Sequence, residues 1–223
     1  MNDIKLTAIV FGASGLTGRF VVEHLINDID YSEVRLFVRK ELMINSTKIK
    51  QIVFDTDKLE SFSNELTGDH LFCCLGTTIK KAGSKNNFYR IDHDMVERVA
   101  KIASHNKVKS FVVISSIGAN RNSHNFYLKT KGQMEESIRT FHFYNLTIIR
   151  PSMLLGIRPE YRFGEEIVKK IFSLANPLMI GSLKKYRGIH ASTVAKAMIS
   201  LAKKSVGYKI IESDQLDNLL IEN

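Results

Sequence analysis

Tyr127 and Lys131 lie four positions apart and carry complementary polar ends, a phenol and an ammonium. On a helix, residues at this spacing share one face, so the two ends can meet in the same small volume. A free tyrosine has a pKa near ~10, and a neighbouring ammonium favours the phenolate, which brings proton transfer closer to neutral pH. Tyr127 could then give a proton to a carbonyl oxygen or remove the proton of a hydroxyl group. The same pair also arises by chance on amphipathic helices, so other residues must support this interpretation.

Ser115 and Ser116 precede this pair at the end of a strand-like segment. Either hydroxyl could hold the substrate oxygen that Tyr127 protonates. A serine pair after a strand is also a common turn or helix-entry signal. The pair is a candidate because it lies between the glycine-rich turn at 12–18 and the Tyr127–Lys131 pair, on consecutive predicted elements of one sheet.

Residues 12–18 form a glycine-rich turn, Gly-Ala-Ser-Gly-Leu-Thr-Gly, directly after a strand-like segment and before a helical apolar spacing. Glycines allow a tight turn and a close backbone approach, and the helix N-terminus directs free N–H groups at a pyrophosphate. The turn lacks the Gly-Lys-Ser/Thr ending of a nucleoside triphosphatase loop, so a dinucleotide is favoured over ATP. The alternative is a turn that only packs helix on strand. The predicted contacts are Gly12, Ser14, Gly15, Leu16, Thr17 and Gly18.

Charged residues end the second predicted strand, about 20 residues beyond the glycines, where an adenosine ribose would lie. An acid there selects NAD, whereas a base accepts the 2′-phosphate of NADP. The residues are Arg39 and Lys40, which favour NADP(H) over NAD(H), although they could also be a solvated strand end. Glu41 follows directly, so NAD is not excluded. Asp55 ends the third strand, where it could contact adenine or cap a helix.

Leu75, Gly76 and Thr77 end the fourth predicted strand. Ligands of open α/β sheets bind at the carboxyl ends of the strands, and Gly76 permits a close approach of the backbone to a cofactor. We therefore predict that these three residues contact the dinucleotide. The alternative is the plain start of a loop.

Short apolar strands alternate with helical spacings through residue 150 and would position these groups. Because parallel strands need crossover connections that usually are helices, the alternation predicts α/β architecture with a doubly wound parallel sheet, a Rossmann fold. The predicted strands are 5–11, 34–38, 51–54, 70–75, 110–115 and 146–150. One helix is predicted to begin near residue 16, and two others are predicted over 88–105 and 127–140.

Beyond Pro151 the pattern loosens. We predict one domain, 1–223, in which residues from about 152 to 223 form a small C-terminal substrate-side lobe. The lobe is predicted to hold helices at 165–175 and 192–203, a turn at Asn176-Pro177, and strands at 188–190 and 208–211.

Five pieces of the sequence match one family in order. They are Gly-Ala-Ser-Gly-Leu-Thr-Gly-Arg at 12–19, Cys-Cys-Leu-Gly-Thr-Thr at 73–78, Lys-Ala-Gly at 81–83, Ser-Ser-Ile-Gly-Ala at 115–119, and Tyr127 with Lys131. On these pieces the chain resembles the atypical short-chain dehydrogenases/reductases, and within them the Tat-interacting-protein oxidoreductase group. The glycine turn and the Tyr-x-x-x-Lys pair are general to that superfamily, whereas the stretch at 73–78 with its downstream Lys-Ala-Gly is more specific to the group.

The resemblance implies further roles. Lys131 would hydrogen-bond the nicotinamide ribose, and Ser116 would hold the substrate oxygen, with Ser115 as the alternative. The Asn-Asn-Ala-Gly stretch and the further catalytic asparagine of many relatives are missing, so no proton relay to solvent is assigned. The further cofactor contacts that the resemblance implies are Pro151 and Leu154 beside the nicotinamide, and Arg162 over a phosphate unless it is solvated.

Two functions follow from these residues. The first is an NADP(H)-dependent oxidoreductase that moves hydride between nicotinamide and a small carbonyl or alcohol substrate, with Tyr127 as proton donor and acceptor. The second is a non-catalytic NADPH-binding sensor that regulates a protein partner. Both Tyr127 and Lys131 are present, which favours the enzyme. We expect a monomer or a homodimer.

Composition excludes several other classes. The 223 residues are 44% apolar and 25% charged with only 3 prolines, which is typical of a globular protein. The net charge of +9 is spread over several predicted elements, so no specific nucleic-acid partner is expected. The histidines lack metal-ligand spacing, so we predict no metal site. Adjacent Cys73 and Cys74 would point to opposite faces of a strand, which argues against a disulfide framework.

The sequence also bears on location. No apolar run approaches the ~20 residues of a membrane span. The N-terminal residues lack the apolar stretch and cleavage site of a secretory signal. We therefore expect a cytoplasmic protein without membrane association.

Overall fold

The computed structural model describes residues 5–156, 181–216 and 219. Nine strands are present in these ranges: β1 (Leu6–Phe11), β2 (Tyr31–Val38), β3 (Ile49–Val53), β4 (His70–Cys73), β5 (Ser110–Ile114), β6 (Asn145–Arg150), β7 (Leu154–Leu155), β8 (Ile189–His190) and β9 (Gly207–Glu212). Seven of them form one sheet in the order β3-β2-β1-β4-β5-β6-β9. Every neighbouring pair in that sheet is parallel, so the predicted doubly wound parallel sheet is confirmed.

Helices connect the strands and cover both faces of the sheet. In the part of the chain that the structure describes they are α1 (Leu16–Asn27), α2 (Ile79–Ala82), α3 (Lys85–Tyr89), α4 (Met95–His105), α5 (Phe126–Arg139), α6 (Ala191–Lys204) and α7 (Ser213–Leu216). Among the described residues, two 3₁₀ helices lie at Thr56–Glu65 and Gly181–Tyr186. A π-helical turn, Arg90–Asp94, joins α3 to α4.

Two apolar clusters hold these layers together, one on each face of the sheet. On one face, α1 and α6 pack on the strands through residues such as Val21, Leu25 and Met198. On the other face, α4 and α5 pack through residues such as Val99 and Met134. Burial of apolar side chains on both faces explains why the strands are almost continuously apolar.

Part of the segment that we predicted as a lobe belongs to the main layers. Helix α6 packs against α1, and β9 pairs with β6 as the last strand of the sheet. Strands β7 and β8 form a separate parallel pair, in which Leu154 lies opposite Ile189. The helix predicted at 165–175 and the turn at Asn176-Pro177 lie outside the described residues.

The order of the strands determines where a ligand can bind. The chain leaves β1 for β2 on one side and later returns to place β4 on the other side of β1. The carboxyl ends of β1 and β4 therefore meet at a topological switch point, which is the usual ligand crevice of an open parallel sheet. Within the described residues, no helix is long and apolar enough to cross a membrane.

Candidate active site

The glycine turn joins β1 to α1 at this switch point. Gly12 has a φ of +78°, and a Cβ there would lie 2.5 Å from the carbonyl oxygen of Cys74. A Cβ at Gly18 would collide with the carbonyl oxygen of Gly12. These two glycines therefore let α1 and the end of β4 approach the turn closely.

The first turn of α1 presents unpaired donors. Its N-cap residue is Gly15, which offers no side-chain hydrogen bond to the helix. Within the described residues, the N–H groups of Leu16, Thr17 and Gly18 have no acceptor. The buried Thr17 Oγ1 also lacks a partner there. Free N–H groups at a helix N-terminus favour an anion, so this turn fits the pyrophosphate of a dinucleotide.

The ends of β2 and β3 lie to one side of the glycine turn. Arg39 and Lys40 are exposed just beyond β2, and the described residues provide no ion-pair partner for either. Asp55 accepts a hydrogen bond from the N–H of Asp57 (3.0 Å) and so caps the 3₁₀ helix. The structure thus shows one of the two roles considered for Asp55, the helix cap. The adenine contact stays a prediction.

The residues that follow β4 pass directly beside the glycine turn. The N–H of Cys74 donates to the carbonyl oxygen of Phe11 (2.9 Å), which extends the β1–β4 pairing into the turn. Gly76 is exposed, and the N–H of Thr77 donates to Asp92 Oδ2 (2.9 Å). Residues 75–77 are thus brought to the glycine turn and are also linked to the π-helical turn.

Tyr127 and Lys131 both lie on α5, as predicted. The helix starts after Asn125, whose Oδ1 accepts a hydrogen bond from the N–H of Leu128 (3.2 Å). Tyr127 is half-buried, and its ring packs on that of Phe88 with centroids 5.5 Å apart. The polar end of Lys131 is buried at the carboxyl edge of the sheet.

Lys131 has a partner that our sequence analysis missed. Its Nζ lies 2.7 Å from Asp92 Oδ1, and the two side chains are 3% and 1% exposed. Burial by itself lowers the pKa of Lys131, but Asp92 first and Tyr127 next outweigh this effect and raise the pKa above its ordinary value. The Asp92 carboxylate therefore favours the charged, ammonium form of Lys131.

The sequence held one signal for Asp92. It lies four residues after Phe88 and three before Met95, so it is an acid within the apolar face of the helix predicted over 88–105. The 3.6-residue spacing from Met95 would place Ile91 on that face, whereas the structure buries Asp92 and leaves Ile91 partly exposed. The π-helical turn explains the difference, because its wider winding changes which residues face the sheet.

The two serines follow β5 and have different surroundings. Ser115 is buried, and its Oγ has no partner within the described residues. Ser116 is half-buried, and its Oγ donates to the carbonyl oxygen of Ile117 at 3.3 Å. Neither hydroxyl is held in a strong hydrogen bond, so both alternatives for the substrate contact stay open.

The segment after β6 closes another side of the site. The carbonyl oxygen of Pro151 accepts a hydrogen bond from the N–H of Ile117 (3.0 Å). This bond connects the segment to the loop after β5 that holds the two serines. Leu154 packs against the core, and Gly156 lies against the side chain of Leu16. The contacts predicted for Pro151 and Leu154 are compatible with this placement, whereas Arg162 lies outside the described residues.

Both ring nitrogens of His93, the residue after Asp92, have polar partners. His93 Nδ1 lies 2.9 Å from Asp94 Oδ1, and His93 Nε2 lies 3.1 Å from Ser137 Oγ. The second contact fastens the π-helical turn to α5. Both ring nitrogens thus serve the packing of this turn.

Comparison with known proteins identifies similar sequences and folds. An NAD(P)H-binding family model matches residues 12–176. Rat protein HTATIP2 is 35% identical over 178 residues, which cover 77% of this chain and 73% of that protein. FMP52 of Candida albicans, named a mitochondrial protein, is 32% identical over 207 residues, 90% of each chain. The structure of MoeE5 with UDP-glucose and NAD has a TM-score of 0.70 at 16% identity, covering 97% of this chain and 81% of that one, and so shares the fold.

The expected cytoplasmic location is contradicted by these comparisons. The FMP52 proteins of several yeasts, including Saccharomyces cerevisiae, are named mitochondrial. The lack of a secretory signal and of an apolar membrane span does not separate a cytosolic protein from a mitochondrial one. The expectation was therefore wrong.

The family itself was identified correctly. The matched range begins at the glycine turn and includes both Tyr127 and Lys131. The predicted resemblance to the short-chain dehydrogenases/reductases is confirmed by the family model, the HTATIP2 relative and the shared fold. The chain belongs to the NAD(P)H-binding family.

Proposed function

We propose that this protein is an NADP(H)-dependent oxidoreductase that interconverts a small carbonyl compound and its alcohol. The observation that carries the proposal is the charged, buried Lys131 on the same helix face as Tyr127, at the edge of the sheet where the dinucleotide turn lies. A bound nicotinamide supplies or accepts the hydride.

Tyr127 is assigned the proton transfer. Lys131 contributes a positive charge beside Tyr127, and the two groups interact electrostatically. Tyr127 then donates its proton to the carbonyl oxygen during reduction and removes the hydroxyl proton during oxidation. A serine hydroxyl holds the same oxygen; Ser116 is the first choice and Ser115 the alternative.

The preference for NADP(H) rests on Arg39 and Lys40. Both side chains are exposed beyond β2, and Arg39 has no carboxylate partner within the described residues. A guanidinium in that position can form paired hydrogen bonds with a 2′-phosphate.

The first test measures binding by isothermal titration calorimetry. Arg39→Ala should weaken NADPH binding by roughly 10- to 100-fold, which corresponds to the ~1.5–3 kcal/mol of a charge-assisted hydrogen bond. NADH binding should stay unchanged. Arg139→Ala is the matched control, because it removes an exposed arginine at the end of α5. Equal losses of NADPH and NADH affinity would contradict the assigned preference.

The second test follows NADPH oxidation with a panel of aldehydes, ketones and quinones. Tyr127→Phe should reduce turnover by ~100-fold or more, as expected on losing a general acid. Tyr144→Phe is the control, since Tyr144 is exposed in the connection before β6. Undiminished turnover by Tyr127→Phe would rule out the proton-transfer role. Tight NADPH binding without turnover of any carbonyl would instead support the NADPH sensor.

A further inference from the structure

Asp92 and Lys131 form a buried pair of opposite charges beneath the candidate site. Asp92 belongs to the π-helical turn and Lys131 to α5, so the ion pair joins two elements. Taking two charges out of water is costly and is compensated only when both are held close together. A pair of this kind at the edge of a ligand crevice points to a role beyond packing.

The second carboxylate oxygen of Asp92 extends the link to the cofactor side. Oδ2 accepts the N–H of Thr77, in the turn that follows β4. Gly76 lies beside the pair, since a Cβ there would be in ordinary contact with it, 3.5 Å from Asp92 Oδ1 and 3.7 Å from Lys131 Nζ. One carboxylate therefore connects the predicted cofactor turn with the predicted proton-transfer helix.

The position of Asp92 is fixed independently of this ion pair. His93, the next residue, is held to Ser137 of α5 at 3.1 Å. π-Helical turns are rare, and they occur often at functional sites. This turn brings Asp92 to the sheet while His93 anchors it to α5.

We propose that Asp92 is a positioning residue, which holds the Lys131 ammonium in place between the turn after β4 and Tyr127. It acts through Lys131 and has no contact with the reacting atoms. Its consequence for turnover rests on the function proposed above, whereas its effect on Lys131 is a property of the cofactor-free protein.

Within the described ranges, the charged and titratable groups that face Lys131 come from three elements. Asp92 faces it from the π-helical turn, Tyr127 from α5 and Cys73 from β4. Without the Asp92 charge, burial would be the dominant influence and would lower the pKa of Lys131. Lys131 would then lose its proton at a lower pH, and Tyr127 would lose the neighbouring positive charge with it.

The first measurement uses the protein without cofactor. Asp92→Asn keeps an oxygen acceptor for the Thr77 N–H and replaces the charged oxygen that faces Lys131 by an uncharged NH₂ group. Lysine side chains labelled with ¹³C and ¹⁵N are titrated by NMR, and the Lys131 signal is assigned with Lys131→Arg. We expect Lys131 to lose its proton at least about one pH unit lower in Asp92→Asn than in the wild type.

Two further variants separate charge from structure. Asp94→Asn removes a carboxylate two residues away that pairs with His93, and it should leave the Lys131 titration unchanged. Asp92→Glu keeps the charge and should largely restore the wild-type titration. If Asp92→Asn does not fold, titration of Lys131 in the wild-type protein still tests the proposal. A Lys131 pKa below the ~10.4 of a free lysine would overturn it.

The second measurement follows kcat/KM for carbonyl reduction against pH. In Asp92→Asn the alkaline limb of the profile should move to lower pH, and in Asp94→Asn it should not. An Asp92→Asn titration identical to that of the wild type would overturn the positioning role whatever the turnover. A shifted Lys131 titration in a protein that reduces no carbonyl would refute the proposed function and leave the role of Asp92 intact.

Discussion

Replacement of Gly12 by alanine tests whether the glycine turn is required for close packing or only for its backbone conformation. Gly12 and Gly83 have nearly the same φ, +78° and +80°. At Gly12 a Cβ would lie 2.5 Å from the Cys74 oxygen, whereas at Gly83 nothing lies within 4 Å. Gly83→Ala therefore measures the cost of the left-handed conformation alone, and Gly12→Ala adds the steric term.

The expected magnitudes differ enough to be measured. An alanine in the left-handed region costs ~1–2 kcal/mol, which applies to both variants. Forcing a methyl group into a tightly packed site costs a further ~1–3 kcal/mol, which applies to Gly12→Ala only. For a protein of this size each kcal/mol lowers Tm by about 2–4 °C. Gly12→Ala should thus melt several degrees below Gly83→Ala.

Thermal unfolding followed by circular dichroism provides the comparison, and calorimetry with NADPH provides a second readout. Gly83→Ala should keep the NADPH affinity of the wild type, while Gly12→Ala should lose most of it, because the turn must move away from β4. Equal melting temperatures and equal affinities in the two variants would refute the argument that Gly12 is required for the close approach.

Two other predictions concern buried polar groups. Thr17→Val removes a hydroxyl that lacks a partner within the described residues, so it should leave Tm unchanged or slightly raised while weakening NADPH binding in calorimetry. Burial lowers the pKa of His70 to about 4, so the unfolded chain binds a proton there at a higher pH than the folded protein. The free energy of unfolding in urea should therefore fall by up to ~3 kcal/mol between pH 6.5 and 4, and His70→Gln should lack this part of the slope; an unchanged slope in His70→Gln would contradict the assignment.

The sheet was predictable because its strands are short, apolar and separated by helical spacings. Strand β2 illustrates the remaining error: the prediction began at Val34, whereas the strand begins at Tyr31. Tyr31 is paired with Leu6, and its hydroxyl contacts His70 at 2.7 Å. Contacts between distant parts of the chain determine such boundaries, and a local pattern does not contain them.

The candidate site was predictable where chemistry follows from local spacing. The glycine turn and the Tyr127–Lys131 pair each lie within a few residues of one another, and the structure brings both to the carboxyl edge of the sheet. Asp92 was missed because its partner Lys131 is 39 positions away in the chain. Its burial also depends on a π-helical turn that the 3.6-residue period does not describe.

The π-helical turn has a consequence for insertions and deletions in this chain. Loss of one residue between 90 and 94 would convert it to an ordinary helical turn and rotate α3 by about 100° relative to α4. Phe88, now fully buried against Phe126 and Tyr127, could not keep its place after such a rotation. Functional homologues should therefore keep the length of this segment even where its residue types vary.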